Sequence, residues 1–264
     1  IQDGLEVANT GEAELTLAVA AADGFTTANG VLDLVPVTDP QLDLGAWVVP
    51  EVSELTLAPG DRVEVPFTLT VPQDAAPGDH TGGIVTIRTS DAGGTVQLEQ
   101  RLASRIHVRV PGEQVVTLAV SDLEIDQPAQ LNPVAAGTAT VRYAVRNEGS
   151  VRTLYTERVT VSGPGGIGTV EAVATVEEIL PGSEIVRVVE VPGVWSLGYT
   201  DVSVDVVPQA VDGELAAPIL LDGGAWSVPW SILALLVLVI AAAIVIGVLR
   251  SKREAASAAP EQVP

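Results

Sequence analysis

The residues with the widest chemical range in this chain are its two histidines and the charged groups beside them. His80 follows Asp79 in the run Pro77-Gly78-Asp79-His80-Thr81-Gly82-Gly83, a turn feeding a strand. A carboxylate next to an imidazole is part of a metal site or a catalytic triad in some settings; the plainer role is a turn histidine bonded to the backbone. His107 has the strand parity of Arg101, Arg105 and Arg109, so these four side chains are expected on one face as a basic stripe suited to carboxylates. Their plainer role is cross-strand pairing with Asp and Glu. Trp47 offers a surface for stacking on a sugar ring or a plug for a sandwich edge, and Phe25 lies in the same loop-rich stretch. Asp122, Glu124 and Asp126, like Asp201 and Asp205, alternate along strands. Calcium takes roughly six to eight oxygens from turned loops, so these carboxylates read as solvated faces. A Gly-x-Ser-x-Gly elbow, a phosphate-cradling glycine loop and His-Glu-x-x-His are all missing, and there is no cysteine. The expectation is a non-enzymatic protein with no cofactor and no metal site.

The elements that must position these groups are strands. No segment before Trp230 keeps a helical period for long, which predicts an all-β fold. Leu5 to Asn9, the turn Thr10-Gly11-Glu12, and Leu15, Leu17 and Val19 predict a hairpin, and Asp91-Ala92-Gly93-Gly94 predicts another. A boundary is expected at Pro111-Gly112, after which the pattern repeats. Asn147-Glu148-Gly149 stands where Asn9-Thr10-Gly11 did, and Pro181-Gly182 stands where Pro59-Gly60 did. The two markers are 50 positions apart in the first copy and 34 in the second, so the first carries 16 extra residues, placed between Ala22 and Val52. A long loop on a small sandwich suggests function. The predicted plan is two tandem immunoglobulin-like β-sandwiches, 1–112 and 113–210, then a juxtamembrane linker, 211–229, flexible over Gly213 to Ala225.

Trp230 to Leu249 is uncharged and almost wholly apolar. As a helix it covers roughly 30 Å, the thickness of a bilayer core, which predicts a transmembrane span over 230–249. Arg250, Lys252 and Arg253 follow, and Lys252 is the only lysine. By the positive-inside rule the tail 250–264 lies in the cytoplasm and the rest outside, with Trp226 and Trp230 as interfacial anchors in the lipid bilayer. The outer part carries 10 Arg and no Lys against 32 Asp plus Glu, a net charge near −22. That field disfavours nucleic acid and tolerates neutral glycans or cationic peptides. The chain opens at Ile1 without a charged-then-apolar leader, which suggests a mature or truncated start.

Four segments resemble the peptidoglycan-binding domain of the WxL-interacting protein family. They are Asp23 to Gly30, Leu44-Gly45-Ala46-Trp47, Val65 to Pro72, and Ala76 to Val85 with its Pro-Gly-Asp-His-x-Gly-Gly element. Arg101 to Val110 resembles that domain's last strand, so the resemblance covers about residues 1–112. It implies a non-enzymatic, membrane-anchored surface adaptor of Gram-positive bacteria that binds the wall and tethers a surface or host protein, with a wall-binding sandwich, a second sandwich that engages a host or partner, one transmembrane helix and a basic tail. Abundant Ala and Arg in place of Lys suggest an actinobacterium. The expected ligand is peptidoglycan or another wall glycan, met by Phe25, Trp47, Asp79, His80, Arg101, Arg105, His107 and Arg109. The expected protein partners are secreted surface proteins, including ones with Trp-x-Leu motifs. An alternative from another class is an Ig-like accessory or chaperone for secreted or pilus-type proteins that offers a sheet edge to a client strand. An unpaired strand beside a hydrophobic groove favours it; short, charged or covered edges do not.

Overall fold

The computed structural model describes residues 1–91, 97–128, 132, 135–195, 198–228 and 230–257. The turn expected at Asp91-Ala92-Gly93-Gly94 lies mostly outside these residues, as do the side chains of Lys252 and Arg253 and the end of the tail.

Among the described residues, fifteen strands build two sandwiches. In the first, β1 (Gln2–Ala8), β4 (Val48–Pro50) and β6 (Arg62–Leu69) form a sheet in the order β1-β6-β4. The second sheet contains β2 (Leu15–Thr26), β3 (Leu32–Leu34), β7 (Gly78–Asp91) and β8 (Gln97–Val110), ordered β3-β2-β7-β8. β5 (Glu54–Leu57) also pairs with β2. Val19, Val65, Phe67, Leu69 and Ile84 meet between the sheets. The period-two alternation of each strand turns one side inward, and burial of those apolar side chains is the main stabilising term.

The second sandwich pairs β9 (Leu118–Asp126), β10 (Gly137–Asn147) and β13 (Glu184–Val194), ordered β13-β10-β9, with a four-stranded sheet. That sheet is β11 (Thr153–Ser162), β12 (Val170–Ile179), β14 (Gly198–Ala210) and β15 (Ile219–Ser227), ordered β12-β11-β14-β15. Its core holds Val141, Tyr143, Val145, Tyr155, Val159, Ile185, Val202 and Val204. A carboxylate lies inside: Glu157 accepts hydrogen bonds from the Tyr143 hydroxyl and from both Nε, at 3.0 Å, and Nη2 of Arg187. These contacts tie β11 to the facing sheet.

The expected first hairpin does not form. β1 pairs antiparallel with β6, from Gln2 opposite Thr68 to Ala8 opposite Arg62, while β2 belongs to the other sheet. The chain crosses the sandwich at Asn9, whose buried amide donates to Ala13 and Leu57 carbonyls at 2.8 and 3.0 Å and accepts from Gly11 at 3.0 Å. Asn147 repeats this corner, donating to Val151 and Ile179 at 2.8 and 2.9 Å and accepting from Gly149 at 2.9 Å. Gly60 and Gly182 each donate to the corner asparagine's carbonyl at 2.9 Å. The repeated sequence signature is thus a repeated backbone plug.

Nor is the 211–229 linker a tether. Ile219–Ser227 is a strand along β14, from Gly198 opposite Ser227 to Val206 opposite Ile219. Its glycines mark close approach instead of freedom. A Cβ on Gly223 would lie 2.6 Å from Leu123, and one on Gly224 would lie 2.2 Å from the Tyr199 hydroxyl and 2.8 Å from the Thr200 carbonyl.

The extra residues of the first sandwich carry β3, a four-residue helix α1 (Leu44–Trp47), and β4. They cross from one sheet to the other and bury Leu44, Trp47 and Val48. The Asp23 carboxylate holds the crossing in place, accepting backbone hydrogen bonds from Leu42, Asp43 and Gly45 at 2.6, 3.0 and 2.6 Å. The chain ends in α2 (Trp230–Ser257), in which Ile232–Ser251 is long and apolar enough to cross a membrane.

Candidate functional site

β1 and β8 are the end strands of opposing sheets, each paired on one side only. They lie beside one another, and a cleft runs between them. Its outer part, 270 Å³, is lined by Leu5, Glu6, Val7 and Ala8 of β1, by Thr86, and by Leu102, Ala103 and Ser104 of β8. Its continuation, 160 Å³, shares Leu5 and Ser104 and reaches Phe67, Ile84 and Ile106 between the sheets. Arg105 and Asp3 also line that part. Leu102 is 76% exposed, although it has the strand parity of the half-buried Ile106, Val108 and Val110. The sequence makes β8 a strand by alternation, and the strand order leaves it at an edge with an apolar residue facing the opening.

The β7–β8 ribbon outruns β2. β2 pairs with β7 only over Ala18–Asp23, so among the described residues the end of the β7–β8 ribbon, from Arg88 opposite Gln100 to Asp91 opposite Gln97, has no third strand beside it. An edge of this kind presents main-chain N–H and C=O groups to an extended segment, and alternate side chains of that segment fit a groove.

The residues singled out from the sequence are not one site. Trp47 is buried 4.5 Å, centroid to centroid, from His80 and stacks on no ligand surface. His80 donates from Nε2 to the Ala76 carbonyl at 2.8 Å, and its Nδ1 lies 2.5 Å from an Asp43 carboxylate oxygen. Burial pushes the Asp43 carboxyl above its ordinary value, against the lowering effect of His80. Phe25 lies on β2 and is partly exposed.

Asp79 and Arg109 join the two sandwiches. The Asp79 side chain is 2% exposed and accepts from Arg109 Nε and Nη2 at 2.6 and 2.9 Å and from the Arg152 backbone N–H at 2.9 Å. Arg109 also donates to Asp212 at 2.7 Å, and Arg152 donates to Glu178 at 3.1 Å. Burial alone would raise the Asp79 carboxyl; the hydrogen bonds and charges of the two arginines outweigh it and hold it below the ordinary range. Asp79 N–H donates to the Ser150 carbonyl at 2.8 Å, and a Cβ on Gly78, at φ 135°, would lie 2.2 Å from that oxygen. Elsewhere at the junction, Thr26 N–H donates to Ser183 Oγ and Leu180 N–H donates to Thr26 Oγ1, both at 3.0 Å.

The basic stripe dissolves in the same way. Arg101 donates to Glu99 at 2.5 Å, and His107 Nδ1 is 3.0 Å from Thr81 Oγ1. Burial, then the Arg152 charge, lowers the His107 imidazole below its ordinary value and disfavours its cation. Arg105 alone of the four borders the cleft. Trp226 and Trp230 are exposed at the base of the second sandwich and the start of α2, and Arg250 lies in α2 past the apolar run. Among the described residues, no group of three or more His, Asp or Glu is placed to hold a metal ion. Sequence reading missed the cleft residues Leu5, Val7 and Ser104. Leu102 shares the alternation of Ile106, Val108 and Val110, and the strand order leaves it uncovered.

No family model and no curated protein matches the chain. Solved structures of similar architecture include a chaperone–tip adhesin complex of CFA/I fimbriae, at 12% identity over 87% of this chain and 92% of that chain, with a TM-score of 0.43. The class 5 fimbriae chaperone CfaA is similar at 12% identity over 87% and 93%, TM-score 0.41, and the E. coli chaperone DraB at 14% over 83% and 89%, TM-score 0.33. At this distance no functional argument follows. The resemblance to WxL-interacting proteins is overturned: no family model matches the chain, and the solved structures named above are fimbrial chaperones or a complex of one, not members of that family. Its most specific element, Pro77 to Gly83, is taken up by the domain junction and the His80–Asp43 contact. Nothing in these comparisons supports wall binding or a Gram-positive, actinobacterial source.

Proposed function

We propose that the chain is a membrane-anchored strand-pairing protein that holds an extended segment of a secreted or surface polypeptide in the cleft between β1 and β8. The observation that carries this reading is the adjacency of two free edges with an apolar opening between them, lined by Leu5, Val7 and Leu102. A client strand bonded to β8 would direct alternate side chains toward Phe67, Ile84 and Ile106. Edge pairing supplies affinity, and side-chain fit in the cleft supplies selection. The sandwiches stand outside the cell and the basic tail stands inside, so a bound client is retained at the surface and its local concentration is raised. The acidic outer part favours neutral or cationic segments.

The test uses the full chain in detergent micelles and a synthetic peptide that alternates valine with threonine and lysine. A peptide of the same composition with its valines grouped is the control. The alternating peptide binds and the grouped one does not. Leu102→Lys, at an exposed position, leaves the melting temperature unchanged and weakens binding at least tenfold, about 1.4 kcal/mol. Equal binding of both peptides, or an indifferent Leu102→Lys, contradicts the proposal.

A further inference from the structure

The end of the second sandwich farthest from the first has an unusual surface. β13 leaves the junction at Ser183 and ends at Val194, and β14 returns from Gly198 toward Asp212, which bonds Arg109. Trp195, Tyr199, Trp226 and the turn between β11 and β12 therefore lie at the far end, roughly 35 to 40 Å from the junction at about 3.3 Å per residue. The sequences that join the strands ending there carry no charge: 127–136 between β9 and β10, 163–169 between β11 and β12, 195–197 between β13 and β14, and 228–229 between β15 and α2. In a chain with 47 charged residues this is a marked segregation.

The end also exposes large apolar groups. Ile167 is 63% exposed, Trp195 39%, Trp226 80% and Trp230 65%. Trp226 packs edge-on to Tyr199 with centroids 5.1 Å apart, so its ring is held by the sheet, and Gly168 brings the turn that bears Ile167 within 3.6 Å of Trp195 at its Cβ position. Only two residues, Val228 and Pro229, separate β15 from α2 in the sequence.

We infer that this end of the second sandwich docks on the outer leaflet of the bilayer that α2 crosses, with Ile167, Trp195, Trp226 and Trp230 in the headgroup layer. Tryptophan favours that layer because its apolar ring and N–H suit a boundary between water and hydrocarbon. The acidic outer part gives no electrostatic attraction to anionic lipid, so the contact is apolar and forms on zwitterionic membranes. The ectodomain is thereby held upright, with the β1–β8 cleft at its distal end, and does not swing on a leash.

The inference rests on α2 crossing the membrane, and the test separates the two. The chain has no cysteine, so single cysteines report single places. Ile167→Cys, Glu148→Cys near the junction and Ala241→Cys within the apolar run are each labelled with an environment-sensitive fluorophore, and the full chain is reconstituted in phosphatidylcholine vesicles. Quenching by lipids carrying a shallow or a deep spin label is then read. The Ile167 label is quenched several-fold more by the shallow lipid than the Glu148 label, and the Ala241 label is quenched by the deep one. Equal quenching at Ile167 and Glu148 with a quenched Ala241 overturns the docking and leaves the anchor. An unquenched Ala241 overturns both.

Discussion

Asp79 shows how a residue can have the chemical makings of a site and serve only as a joint. Its carboxylate is enclosed by Arg109 and Arg152, and an acceptor surrounded by donors is stable only while it is charged. Asp79→Asn leaves two guanidinium groups undercompensated and is expected to cost about 2–4 kcal/mol of resistance to urea. Acid should reveal the same contact. The folded carboxyl is depressed, so its stabilisation is complete above the unfolded value of 3.8 and is lost as pH falls through the lower folded value. His107 has the same sign at higher pH: its imidazole is depressed from 6.5, so stability begins to fall as pH drops below that value. Urea midpoints measured across pH should decline in both windows, and Asp79→Asn should abolish only the more acidic one. The chemistry of these residues was legible in the sequence. Their use was not, because Arg152 and Asp212 lie 73 and 103 positions from their partners, Asp79 and Arg109.

At the scale of elements, the two asparagine corners and their glycine partners could be read from spacing, since a local plug leaves a local signature at Asn9-Thr10-Gly11 and Asn147-Glu148-Gly149. Asn147→Ala removes two donors and an acceptor from a buried corner and should cost about 2–4 kcal/mol, seen as a lower melting temperature of the second sandwich. β15 was misread because Gly223 and Gly224 look like linker residues; only the sheet shows Leu123 and Tyr199 over them. Gly224→Val should therefore destabilise the second sandwich by about 1–3 kcal/mol, whereas a valine in a true tether changes nothing measurable. The inserted stretch between β2 and β5 was misread for a related reason. Its aromatic, Trp47, is core, and the Asp23 carboxylate that organises it lies about twenty positions earlier in the chain. The fold class was accessible because alternation is local, whereas the neighbours of each strand were not.

As a whole molecule, the chain has a cleft at one end, an ionic joint in the middle and an apolar base above its helix. The joint matters to the cleft, because β8 runs from the free edge at Leu102 to Arg109 at the junction. A client bound along β8 would thus be held on the strand that is fixed to the second sandwich. The central claim is that β8 has room for a strand partner. Amide hydrogen exchange on the full chain in micelles tests it most directly, with and without the alternating valine peptide. Bound peptide should slow exchange at amides of residues 101–107 that face away from β7 and along β1, and leave the second sandwich unchanged. Unaltered exchange along β8 at saturating peptide, or protection confined to other strands, would contradict the account.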